Sequence, residues 1–172
     1  METLRLLRQN KDEAHLKALI QSIPYAKFLG IDAEVRGDEL TMILPFHNDL
    51  VGNVMLPAIH GGVITSLLDN ASGMSIGCHT GERKGMATLD LRIDYMHPAT
   101  PGEDVYARAE CYKITNNIAF VRGIACHKKN GVLEIDDPIA TSVATFMITG
   151  GPIPDINTMI ALAAAGERPG GG

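Results

Sequence analysis

The stretch that decides the fold runs over residues 59–77, IHGGVITSLLDNASGMSIG, and its reading is completed by residues 86–98, MATLDLRIDYMHP. In the first segment Ile59, Val63, Leu67, Ala71 and Met74 fall four, four, four and three positions apart, the spacing of one helical face. Gly61, Gly62, Ser66, Ala71, Ser72, Gly73, Ser75 and Gly77 crowd the same helix. Each glycine costs roughly 1 kcal/mol against alanine in a helix interior, so packing must supply the stability. Small side chains let a backbone lie close to a sheet or a second helix, and a central, buried helix is expected. In the second segment Ala87, Leu89, Leu91, Ile93 and Tyr95 alternate with Thr88, Asp90, Arg92 and Asp94, the pattern of a strand with one apolar face.

Working outward, further strands are expected near 104–115, 117–129 and 138–149. Asn116-Asn117 and a segment opening with Asn130-Gly131 supply turn chemistry between them. Upstream, 31–36 and 39–45 read as two strands joined at Gly37-Asp38. Residues 47–59 (HNDLVGNVMLPAI) show no period and read as a loop. Leu16, Leu19, Ile20 and Ile23, behind an Asn10/Glu13 capping box, predict a helix over 11–22 stopped by Pro24. After Gly150 a short helix is expected over 155–165 with Asp155 as its cap, and the closing ERPGGG is expected to be disordered. Long antiparallel strands around one buried helix make an α+β fold. The chain divides into a helical segment (1–29), the main domain (30–150) and a tail (151–172).

Composition narrows the functions. The 172 residues carry a formal charge of −5, aromatics are 5% and tryptophan is absent, which disfavours binding to nucleic acid. No run approaches a membrane span, and the charged N-terminus lacks the apolar core of a secretory signal. Three cysteines, Cys78, Cys111 and Cys126, form no CxxC pair and suit a reducing compartment, so a cytoplasmic location is expected. Cys78-His79 and Cys126-His127 are adjacent pairs whose side chains diverge on a strand, so no metal site is assigned.

The chemistry concentrates in residues 59–73. His60-Gly61-Gly62 opens the helix, where the first N–H groups lack intrahelical partners and the dipole favours negative charge. The Gly61 N–H is a candidate oxyanion donor, although two glycines there also suit tight helix–sheet packing. Asp69, between Leu68 and Asn70 on a largely apolar segment, is a candidate base or nucleophile. An Asp held by Asn70 or by a strand residue, or facing solvent, is the plainer alternative. Eight positions separate Gly61 from Asp69, roughly 12 Å at ~1.5 Å per residue. One carbonyl cannot sit against both. If both act in one site, the carboxylate comes from a second copy of the chain, and a two-fold dimer then holds two identical sites.

HGGVITSLLDN followed by TLDLRIDYMHPA resembles the hotdog-fold acyl-CoA thioesterases, specifically their PaaI-like branch, over about residues 30–149. The resemblance implies an antiparallel sheet wrapped around a long central helix, acyl-CoA as substrate, and a homodimer with its sites at the subunit interface. It leaves room for a pairing of dimers into a homotetramer. Position by position, Gly61 matches the oxyanion donor, Asp69 the catalytic carboxylate, and Thr88 the hydroxyl that orients the attacking water. The upstream asparagine of the family falls on Asn48 or Asn53, with Asn48 preferred for catalysis. His60, Gly62, Asn53 and Asn70 are the expected substrate-binding residues. His60 is read as an orienting group, because a helix N-terminus disfavours its charged form. The only coenzyme A implied is the one in the substrate; no separate cofactor is.

Thioester hydrolysis suits this set. A free thiol has a pKa of about 8.5, so the leaving thiolate needs no dedicated acid. Water activation and oxyanion stabilisation remain. The competing reading is a non-catalytic acyl-CoA-binding or sensing domain. Arg83-Lys84 and Lys128-Lys129 are cations that could face coenzyme A or merely solvent, and Val54–Ile59 could wall an acyl channel. That apolar stretch hints at medium or long aliphatic chains.

Overall fold

The computed structural model describes residues 13–36, 39–53, 55, 57–80, 84–152 and 156–165. Helix α1 (Glu13–Gln21) turns Leu16 and Ile20 inward, as their spacing dictates. Pro24 does not merely stop it. It opens a second short helix, α2 (Pro24–Phe28), because a first-turn proline lacks only an N–H that would have had no intrahelical partner. Asn10 and the Gly37-Asp38 turn lie outside the described residues.

Strands β1 (Asp32–Arg36) and β2 (Glu39–Leu44) pair antiparallel, Asp32 opposite Ile43. The segment expected to be an irregular loop is organised instead. A 3-10 turn at Asn48–Leu50 leads into β3 (Val51–Asn53), which pairs with β4 (Ala58–Ile59). The ladder ends on the His60 N–H, which donates to the Leu50 carbonyl at 2.8 Å. Gly52 permits this approach, since a Cβ there would lie 2.8 Å from His60 Cα. Helix α3 (Gly61–Thr80) follows directly.

Beyond α3 come β5 (Lys84–Tyr95), β6 (Val105–Ile114), β7 (Ile118–Cys126), the small hairpin β8 (Lys128–Lys129) with β9 (Val132–Leu133), and β10 (Ala140–Pro152). The strand expected over 117–129 therefore breaks at His127. Asn130 (φ 52°) and Gly131 (φ 80°) form the turn between β8 and β9. Helix α4 (Ile156–Ala165) closes the described chain, while Asp155 and the terminal ERPGGG lie outside it.

The six-stranded sheet is antiparallel in the order β1-β2-β6-β7-β10-β5. Helix α3 lies across it and buries Ile64, Leu67 and Leu68 against Val105, Ala107 and Ala125. Each such aliphatic side chain contributes roughly 1.5–3 kcal/mol. Farther along, Ile76 packs with Val121, Ala144 and Phe146. The close approach depends on Gly123, where a Cβ would stand 2.7 Å from Ser142 Oγ and 3.3 Å from Leu68 Cδ2. His127, 6% exposed, ties the connection before β6 to the sheet: its Nδ1 donates to the Asp104 carbonyl (2.9 Å) and its Nε2 accepts the Thr100 N–H (2.9 Å).

Strand β5 forms one edge, and its apolar face is not the one alternation predicts. Asp90 pairs with Thr145 but Thr88 with Phe146, so Leu89 is an extra residue, a β-bulge. Below the bulge the facing set changes. Met86 packs into the core beside Leu91, whereas Leu89 is 53% exposed and Ala87 is exposed too. Thr88 is thereby moved to the side of the sheet that carries α3.

Candidate functional site

Two clusters form where β5 meets α3. In the first, Thr88 Oγ1 donates to Asp69 Oδ1 at 2.9 Å. Asp69 is half-buried and Thr88 exposed, so the carboxylate is not enclosed in apolar surroundings as its sequence neighbours suggest. The strand hydroxyl, not Asn70, is its partner. Asn70 Nδ2 instead donates back along the helix to the Ser66 carbonyl at 2.8 Å.

The second cluster lies at the start of α3. The Gly62 N–H donates to His60 Nδ1 (3.0 Å), and the Val63 N–H to the His60 carbonyl (2.9 Å). The Gly61 N–H is then the first-turn donor with no acceptor among the described residues. Because Nδ1 accepts, the imidazole proton of the exposed His60 sits on Nε2. The Gly61 carbonyl takes the Tyr95 hydroxyl at 2.7 Å and Thr65 Oγ1 at 3.1 Å, and the two hydroxyls are 3.0 Å apart.

The remaining candidates stand farther out. Asn48 is exposed in the 3-10 turn, and Asn53, also exposed, anchors its own loop by accepting the Met55 N–H at 2.9 Å. Of the cation candidates, Lys128 pairs with Glu34 at 2.8 Å and lies 4.1 Å from the centre of the Tyr106 ring, and Lys129 pairs with Glu134 at 3.8 Å. Arg83 lies outside the described residues. Tyr95 and Thr65 were not among the sequence candidates. The available signal was a hydroxyl one helical turn after Gly61 and a tyrosine at the end of the next strand.

The three cysteines are free and buried, and desolvation pushes the Cys78 thiol up to about 11, so it is a packing group. A cleft of about 830 Å³ opens between β2 and β6, but its walls (Met42, Ala71, Ser75, Cys78 and Arg108 among them) include neither Asp69, Thr88 nor Gly61. Asp69 and Gly61 face an open edge.

A helix laid across an antiparallel sheet, a free N–H at its first turn and a carboxylate two turns on can be set beside known proteins. The Thioesterase superfamily family model matches residues 56–134. An Escherichia coli protein, medium/long-chain acyl-CoA thioesterase YigI, is 30% identical over 144 residues, covering 75% of this chain and 88% of that one. The chain belongs to the thioesterase superfamily. Its sheet wrapped around α3 is the hotdog fold.

Human acyl-coenzyme A thioesterase 13 is 32% identical to this thioesterase-superfamily chain over 87 residues, 51% of this chain and 58% of its own. A crystal structure of a Pseudomonas aeruginosa protein is 38% identical, with a TM-score of 0.65, covering 78% of this chain and 96% of that one. The E. coli PaaI protein shares the fold at 17% identity, with a TM-score of 0.69 over 90% of this chain and all of its own. No helix among the described residues of this superfamily member is long and apolar enough to cross a membrane.

Proposed function

We propose that this thioesterase hydrolyses acyl-CoA to a free acid and coenzyme A, with one site built from two copies of the chain. The observation that carries the reading is the Thr88–Asp69 hydrogen bond at an open sheet edge. Thr88 holds Oδ1, leaving Oδ2 to take a proton from water, or to attack directly. With water as nucleophile, its oxygen bonds to the thioester carbon and its proton passes to Asp69. The Gly61 N–H of the other copy holds the oxyanion, and the C–S bond then breaks to release the thiolate. His60, Gly62, Asn48 and Asn53 surround the acyl-CoA, with Asn48 nearest the reacting carbonyl. Coenzyme A enters only as part of the substrate.

Dimerisation has its own support. Strand β5, 12 residues long, is paired on one side only among the described residues and carries Leu89 and Tyr95 at 53% and 51% exposure, a surface suited to pairing with its own copy. The apolar, exposed Met55 between β3 and β4 and the likeness to YigI, a medium/long-chain acyl-CoA thioesterase, favour medium or long acyl chains. Buried free thiols suit a reducing compartment such as the cytoplasm.

The test is thiol release from a panel of acyl-CoA esters. Asp69→Asn keeps the acceptor for Thr88 but loses the base, and turnover should fall ~10²–10⁴-fold. Gly61→Val should also be inactive, since even its Cβ would lie 3.1 Å from the Tyr95 hydroxyl. Mixing the two variants should restore about a quarter of the wild-type rate, from one intact site in each mixed dimer. Wild-type rates for Asp69→Asn would remove the Asp69 assignment, absence of thiol release by the wild type would leave only an acyl-CoA-binding domain, and no restoration on mixing would remove the shared site.

A further inference from the structure

We propose that Tyr95 is a positioning residue for the oxyanion end of the site, acting through Thr65 and the Gly61–Gly62 peptide on His60. The proposal rests on the thioesterase reading above and goes beyond it. The Gly61 carbonyl lies in the first turn of α3, where the helix itself supplies one donor from four residues on. Two further hydroxyls, from Tyr95 and Thr65, converge on that oxygen. In the single chain Tyr95 is half-exposed, so burial alone does not force its hydroxyl onto this oxygen. Glycine suits the contact: a Cβ at position 61 would lie 3.1 Å from Oη and 3.3 Å from Cζ, tighter than ordinary van der Waals contact.

The consequence runs through one peptide unit. Donation into the Gly61 carbonyl polarises the amide it shares with the Gly62 N–H, and that N–H is the group bonded to His60 Nδ1. Tyr95 thus strengthens the bond that keeps the imidazole proton on Nε2 and the ring against the helix start. Gly62 is a fit for the same purpose, since a Cβ there would stand 2.9 Å from Nδ1. With the Gly62 N–H committed to His60, the Gly61 N–H remains the donor offered to a substrate oxygen. One edge strand therefore addresses both clusters, Thr88 on the carboxylate and Tyr95 on the helix start.

The experiment compares wild type with Tyr95→Phe, which keeps the ring and removes the hydroxyl, and with Thr65→Val as a second variant should the first fail to fold. Two readouts are taken: kcat and KM for a medium-chain acyl-CoA, and the ¹⁵N resonances of the His60 ring. Tyr95→Phe should lower kcat about tenfold and change KM less than ~2-fold. The His60 signals should move from a single Nε2–H tautomer towards a mixture, with the melting temperature held. Wild-type kcat, or an unchanged His60 tautomer, overturns the proposal, as does a kcat loss that only tracks a loss of folded protein. The nitrogen spectrum reads the Tyr95–His60 connection without turnover, so a failure of the thioesterase reading shows separately, as absence of thiol release by the wild type across the acyl-CoA panel.

Discussion

At the residue scale the molecule separates polar groups that have partners from those that do not. Asp69 and Gly61 are where chemistry is proposed, one carboxylate oxygen held by Thr88 and one amide held by nothing among the described residues. Ser72 is a different case. Its side chain is fully buried on α3, and its hydroxyl has no hydrogen-bond partner among the described residues. A buried hydroxyl left unpaired is destabilising, and alanine is also the better helix former. Ser72→Ala should therefore raise unfolding free energy by about 1 kcal/mol in a urea titration with unchanged slope. A loss of similar size would mean that the hydroxyl is satisfied in solution.

At the element scale, the bulge in β5 decides whether Thr88 can reach Asp69. Regular alternation from Leu91 and Ile93 would put Thr88 on the face away from α3; the extra residue Leu89 reverses it, so that Thr88 shares a side with Phe146. Bulges next to functional sites commonly re-aim a side chain in this way. Thr88→Val keeps a β-branched side chain at this register, removes only the hydroxyl, and should lower turnover by at least about tenfold, with strand content by circular dichroism retained. Turnover at the wild-type level in Thr88→Val would show that the hydroxyl has no part in the reaction.

Across the whole molecule, the first strand is tied to the separate β8–β9 hairpin by charge. Lys128 donates to Glu34 at 2.8 Å while lying over the Tyr106 ring, and the pair is only 17% and 23% exposed. The hydrogen bond from Lys128 is the first cause holding the Glu34 carboxyl below its ordinary value of 4.5. A depressed folded-state value means the stabilisation is fully present above the unfolded-state value of 4.5 and is lost as pH falls through the lower, folded-state value. Lys128→Met keeps the apolar stem over Tyr106 but removes the charge. It should cost about 1 kcal/mol at pH 7 and flatten the decline in melting temperature below pH 4.5, as followed by thermal denaturation from pH 7 to 3. A parallel decline in both proteins would mean that the pair does not hold in solution.

Local pattern made much of this legible before any tertiary information. The four-residue spacing from Ile59 to Ala71 dictates one buried face of α3, and Asn130-Gly131 permits the left-handed turn found there. The His60-Gly61-Gly62 opening and Asp69 were likewise readable, because helix starts and internal carboxylates carry their chemistry in one short segment. Other features were not. Whether Pro24 ends a helix or begins one depends on how α2 meets the core, and the ordering of 47–59 depends on β3 finding β4. Thr88 and Asp69 are 19 positions apart, and Tyr95 and Gly61 are 34 apart. The meeting of Thr88 with Asp69 is set by a pairing shift between β5 and β10, which no periodicity along either strand encodes. Most of the long helices and strands, and the reactive groups on them, could be read along the chain, because those follow from interactions within a few residues. Which face of β5 meets α3 below Leu91 was left to packing between strands, because register is fixed by the ladder of a neighbouring strand and the side chains that the core can accept.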